Sequence, residues 1–202
     1  RTNNPNRESL EEMVSYLEKG EKSLVCSSGM GAITSTLLAL VRPGDHILCN
    51  CYLYGETYDV MTQLLREFGV ESSLVGFDDL DAVAAAVRPN TKLLYTEVCA
   101  NPTMNLADIP ALAELAHKNN ALLMVDNTFT TAVSIRPLQM GADIVISSMT
   151  KFMNGFSNAI GGSITACAQL IDTIKPIQKL CGTPGDPFDA WTIANNLQTV
   201  DL

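Results

Sequence analysis

Short runs of uninterrupted apolar residues alternate along the chain with stretches whose apolar positions recur at helical spacing. Leu122-Leu123-Met124-Val125 and Ile144-Val145-Ile146 are runs of the first kind; Leu10, Met13, Val14 and Leu17 form a stripe of the second. A strand with one wet face alternates apolar and polar residues, so an uninterrupted run marks a strand covered on both faces. Strands and helices in turn imply an α/β fold, a mostly parallel sheet sandwiched by helices. The pattern predicts strands over 23–26, 46–50, 72–77, 92–98, 122–126, 144–148 and 162–167. It predicts helices over 32–41, 56–68, 80–87, 109–117 and about 187–197, with Pro110 suited to a first turn. No repeat or linker interrupts residues 1–202, which read as a single domain.

Hydrophobic residues make up 47% of the chain, ample for a buried core. The net charge of -9, with Lys and Arg scattered, argues against a nucleic-acid partner. No apolar run is long enough to span a bilayer and no signal peptide is visible, so the expectation is a cytoplasmic protein with no membrane partner. Most of the six cysteines lie inside apolar runs, as buried free thiols do in a reducing compartment. Cys49 and Cys51 form a C-x-C, but no second Cys/His pair follows at metal spacing, and no metal site is expected.

In a parallel sheet, ligands collect at the carboxyl ends of the strands. Three segments there carry chemistry. Ser27-Ser28-Gly29-Met30-Gly31 joins a strand to a helix start, where unpaired amides and the helix dipole favour a phosphate; many such turns bind nothing. Asp126 ends an apolar strand, where a carboxylate needs a cation, metal or donor, or else caps the following segment. Lys151 follows Ser148 and Thr150 at another strand end; it could form a Schiff base beside two phosphate-binding hydroxyls, or be a surface lysine.

Their order, with Arg42-Pro43-Gly44-Asp45, Leu53-Tyr54-Gly55, Thr57, Glu97, Asn101-Pro102-Thr103 and Asp126-Asn127-Thr128-Phe129, resembles the Cys/Met-metabolism family of pyridoxal-phosphate (PLP) enzymes. That family includes methionine γ-lyase, cystathionine γ-lyase and cystathionine γ-synthase, and residues 28–33 are worded most like the first. The resemblance implies the large, cofactor-binding domain of the fold-type I PLP transferases. It implies that Lys151 bonds PLP, Asp126 pairs with the pyridine nitrogen, and Tyr54 stacks on the ring and assists proton transfer at the leaving group. Gly29, Met30, Ser148 and Thr150 would hold the phosphate, and Asn101 would lie near the ring hydroxyl. Arg1 would reach a neighbouring subunit's phosphate, which implies a homodimer or homotetramer with active sites at the interface. The family's N-terminal arm and smaller C-terminal domain are expected to lie outside this chain.

The expected reaction is γ-elimination on a sulfur amino acid such as methionine, cystathionine or homocysteine. The alternatives are γ-replacement, as in a cystathionine γ-synthase or an O-acylhomoserine sulfhydrylase, and a catalytically impaired PLP-binding homologue. A Rossmann nucleotide site is a weaker reading, because Thr34 stands where the third glycine of G-x-G-x-x-G belongs. Several positions depart from the family pattern: Glu56 stands where methionine γ-lyases carry cysteine, Phe156 and Asn158 replace His and Asp, and Asn195-Asn196 replaces Arg-Gly. His46 and His117 lack the companions of a catalytic base, and Trp191 reads as a packing residue.

Overall fold

Asn4 starts the first helix, α1 (Pro5–Glu18): its side-chain oxygen accepts the amides of Asn6 and Arg7 at 3.0 and 3.4 Å. Lys19, in the left-handed conformation, ends it. The chain then enters β1 (Lys22–Cys26), α2 (Gly29–Leu40) and β2 (His46–Asn50). The next helical stretch is α3 (Gly55–Asp59), a π-helical turn (Val60–Leu64) and α4 (Leu65–Glu67). β3 (Glu71–Val75), α5 (Leu80–Ala86), β4 (Thr91–Glu97), α6 (Ile109–Lys118) and β5 (Leu122–Asp126) follow in alternation. After the short α7 (Thr131–Ser134) come β6 (Ile144–Ser147), β7 (Gly162–Ala166), α8 (Ala168–Leu180) and α9 (Pro187–Asn196). This computed structural model describes residues 3–200.

The seven strands form one sheet in the order β1-β7-β6-β5-β4-β2-β3. The pairs from β6 to β3 are all parallel, whereas β7 runs antiparallel to both β6 and β1. The reversal has a local cause. The segment between β6 and β7 contains no crossover helix, so the chain re-enters the sheet from the end at which β6 left it.

Successive strand residues face opposite sides, and each side has its own core. Ile47, Cys49, Leu93, Tyr95, Met124, Ile144 and Ile146 pack with Ala32, Ile33 and Leu37 of α2 and with Ile171 and Ile174 of α8. Leu48, Leu94, Leu123 and Val125 pack with Val83 of α5 and with Ile109, Leu112 and Ala116 of α6. A third cluster joins Leu10 and Val14 of α1 to Val25, Met149 and Ile193 of α9. Glu97 and Asp126 share the α2 side with Tyr95 and Met124.

Several expectations change. α8 falls in a stretch to which the pattern assigned nothing; Pro176 lies inside it and removes one helical hydrogen bond, while burial of Ile171 and Ile174 sustains the helix. The helix expected over 56–68 carries a π turn, and β3 stops at Val75, two residues early. Only Cys26, Cys49 and Cys99 are buried; Cys51, Cys167 and Cys181 are exposed. Trp191 is half exposed, with its ring tilted against Phe188 at 5.8 Å. His46 is buried between Thr91 and Ser73, and His117 lies near the surface against Asp143. Among the described residues, no helix is long and apolar enough to cross a membrane.

Candidate active site

The carboxyl ends of β4, β5 and β6 converge with the start of α2. Gly29 opens that helix against Ser148: a Cβ added at Gly29 would sit 2.8 Å from the Ser148 Cβ. Gly162, the first residue of β7, is equally confined, because a Cβ there would strike the Ser28 carbonyl. Glycine therefore allows the two backbones to meet, and the meeting brings the turn at 27–29 onto the end of β6. Ser28 caps α2, its hydroxyl accepting the Gly31 amide at 2.9 Å. The Gly29 and Met30 amides belong to the first turn and have no acceptor within the helix.

From Ser148 a chain of hydrogen bonds leads to Asp126. The Ser148 amide donates to the Thr128 hydroxyl at 2.7 Å, and the Thr128 amide donates to Asp126 Oδ1 at 2.8 Å. The second bond is a carboxylate-to-backbone turn two residues on, the local role that an aspartate in this place plays by itself. Asp126 Oδ2 receives a long contact, 3.4 Å from the Tyr95 hydroxyl, and the Thr128 hydroxyl also faces the carboxylate. Burial raises the Asp126 pKa, against the lowering effect of Thr128 and Tyr95. The residue keeps a partly open face, so the shift reflects the protein packed around the carboxyl rather than complete removal from water.

Glu97 ends β4 directly beside Asp126, its partner across the parallel ladder. It is 9% exposed, and its Oε1 accepts the Tyr54 amide at 2.7 Å. Burial pushes its pKa up to about 7; the Tyr54 amide opposes this, the Asp126 charge adds to it, and the Asn101 amide opposes it. Tyr54 is half exposed, and the carboxylate of Glu56 beside its hydroxyl raises the phenol's pKa. Asn101 is exposed and precedes a cis peptide bond to Pro102.

Lys151 lies in the turn after β6, exposed and without a side-chain hydrogen bond or ion pair among the described residues. The next residue, Phe152, sets its ring edge to face against that of Phe129 at 5.5 Å. The Thr150 hydroxyl donates to the Gly161 carbonyl at 3.2 Å and accepts the Gly161 amide at 3.1 Å, so its one proton is directed at the loop. Arg1 lies outside the described residues. The sequence reading assigned no part to Tyr95 or Thr128, and quoted Glu97 without a role. Tyr95 and Glu97 are two apart at a strand end beside Asp126, and that spacing was the available signal.

The profile of the family described as "Cys/Met metabolism PLP-dependent enzyme" matches residues 1–202. The chain belongs to this family. An L-methionine gamma-lyase from Porphyromonas gingivalis is 42% identical over 205 residues, covering 100% of this chain and 51% of that protein. A cystathionine gamma-lyase from Bacillus subtilis is 40% identical over 203 residues, covering 100% of this chain and 53% of that protein. The crystal structure of cystathionine gamma-lyase from Lactobacillus plantarum complexed with L-serine superposes with a TM-score of 0.96 at 33% identity, over 99% of this chain and 52% of that one. The chain thus spans about half the length of these family members. The cofactor of the family is PLP.

Two of the departures from the family pattern meet in space. Asn196 donates to Asn158 at 2.9 Å and to Asn154 at 2.7 Å, and Asn154 donates to Asn158 at 3.1 Å. Asn158 and Asn196 therefore belong to one amide cluster that pins the loop after Lys151 to the end of α9.

Proposed function

We propose that this chain is the cofactor-carrying part of a PLP-dependent carbon–sulfur lyase that performs γ-elimination on a sulfur amino acid. The observation that carries the proposal is the convergence of Gly29, Ser148 and Asp126 at one end of the sheet, with Lys151 three residues beyond Ser148. The residues suit the group. Asp126 Oδ2, held by a long contact on a residue that keeps some exposure, suits a cationic ring nitrogen, and a partner cation is what a carboxylate with a raised pKa lacks. The Gly29 and Met30 amides and the Ser148 hydroxyl suit a phosphate, with Thr150 joining them if its proton turns from Gly161. Asn101 is assigned to the ring hydroxyl and Arg1 to a neighbouring subunit's phosphate, as in a homodimer or homotetramer with shared sites.

When bound through the Lys151 amine, PLP supplies the electron sink that makes the substrate's Cα–H acidic. With the cofactor in place, the Lys151 amine would take the proton from Cα, give it up again, and only then be free to take one from Cβ. Tyr54 passes a proton to the departing sulfur, and the Glu56 carboxylate keeps its phenol protonated for that task. Methionine and water would yield methanethiol, a 2-oxo acid and ammonia. All six thiols are free, which suits a cytoplasmic setting.

The test is spectroscopic and chemical. The full-length protein should show a visible absorbance band that borohydride removes, with the label on Lys151, and should release 2-oxo acid from methionine or cystathionine without added thiol. A colourless protein unaffected by added PLP would sink the assignment. Turnover of an acylhomoserine only when a thiol is supplied would replace elimination by γ-replacement.

A further inference from the structure

Glu97 is a buried carboxylate with no cation against it: among the described residues it enters no ion pair. Its surroundings are the Asp126 carboxylate from β5, the Tyr95 phenol on its own strand, and the amides of Tyr54 and Asn101 from two loops. A neutral glutamine would satisfy amides without the cost of burying charge next to charge. A carboxylate does one thing more, because its hold on an amide strengthens when it ionises. We propose that Glu97 is a positioning residue that couples the charge at Asp126 to the hold on the Tyr54 loop. With Asp126 facing no cation, its charge suppresses ionisation of Glu97 and the Tyr54 amide is held weakly. A cation on Asp126 relieves that suppression, Glu97 ionises, and the loop carrying Tyr54 is drawn onto the end of β4. The raised pKa of Glu97, about 7, puts this exchange in the neutral range. The coupling to a cation rests on the PLP reading given above; the hold of Glu97 on Tyr54 does not.

The experiment follows hydrogen-exchange protection of the Tyr54 amide in the full-length protein from pH 5.5 to 8.5, with intrinsic exchange divided out. Without PLP, protection should rise about fivefold to tenfold with a midpoint near 7, the gain of a charged over a neutral acceptor. Saturating PLP should move the midpoint down, and the acid limb of kcat/KM should move with it. Glu97→Gln should flatten the protection profile and remove that limb while leaving the melting temperature close to wild type. Glu97→Asp, too short to reach Tyr54, should lower protection at every pH. A flat wild-type profile, or one unchanged in Glu97→Gln, overturns the hold on Tyr54. A pH-dependent profile that PLP leaves in place overturns the coupling; absence of a borohydride-sensitive band would show instead that the PLP reading had failed.

Discussion

Glu97 and Glu18 are both buried, and burial pushes both carboxyls to a pKa of about 7, yet their settings differ. Glu97 sits at the crest of the sheet, among Asp126 and the loops that carry Tyr54 and Asn101. Glu18 ends α1, 1% exposed, with Oε1 accepting from Asn127 at 3.3 Å, Oε2 without a hydrogen-bond partner among the described residues, and the Arg136 charge acting on the carboxylate. Asn127 in turn donates to the Ile135 carbonyl, and the Thr130 hydroxyl donates to it. The Glu18 cluster thus ties α1 to the loop after β5 and offers no open face. A perturbed pKa marks the cost of burial; the groups around it decide whether that cost serves chemistry or scaffolding.

The comparison breaks or sharpens first at Lys151, on the crest. Lys151→Ala should lower kcat by about a thousandfold or more and abolish the borohydride-sensitive band. Because the Lys151 side chain is exposed and enters no hydrogen bond or ion pair among the described residues, the PLP-free variant should melt at the temperature of the PLP-free wild type. A large loss of stability would move the crest into the scaffold class. Asp126→Asn should weaken PLP retention by about a hundredfold, since the cationic partner loses its counter-charge. The same change should make the PLP-free protein no less stable at neutral pH, because ionising Asp126 in the folded state is unfavourable. Dialysis with absorbance, and urea unfolding of the two forms, separate these effects.

Glu18 tests the other side. A carboxyl whose folded pKa is raised holds its proton longer in the folded state than in the unfolded one. Its stabilising effect is therefore complete below the unfolded value of 4.5 and is lost as pH rises through about 7. Unfolding free energy should decline across that window, and Glu18→Gln should remove Glu18's share, about 1–3 kcal/mol at pH 8, without changing kcat. A change in kcat would mean that the Asn127 loop transmits to the crest. The smallest effect is expected at Asn158→Asp. Both donors at that position address Oδ1, an acceptor that aspartate also supplies, so stability should change by less than about 1 kcal/mol in thermal unfolding.

The apolar runs at 46–50 and 122–126 were legible to the residue, because a strand covered on both faces writes itself as an unbroken run. α8 was not, because its buried stripe is punctuated by Pro176, and local pattern weighs that residue without seeing the strand face behind it. The places of Gly29, Asp126, Ser148 and Lys151 at strand ends were legible because each follows an apolar run and their order is distinctive. Thr128 was quoted without a role and Tyr95 was not singled out, because each acts through a partner from another segment, Ser148 and Asp126 respectively.

What the sequence determined by itself is therefore the alternation of strand and helix, and which residues stand where the strands give out. Backbone periodicity and the steric freedom of glycine are local properties that any segment carries with it. Tertiary structure alone decided that β7 runs against its neighbours and that Gly29 lies against Ser148. It alone decided that Glu97 and Asp126 stand side by side, one reaching the Tyr54 loop and the other keeping an open face. Register between strands far apart in the chain is set by how two apolar faces bury at once, and no single segment contains that information.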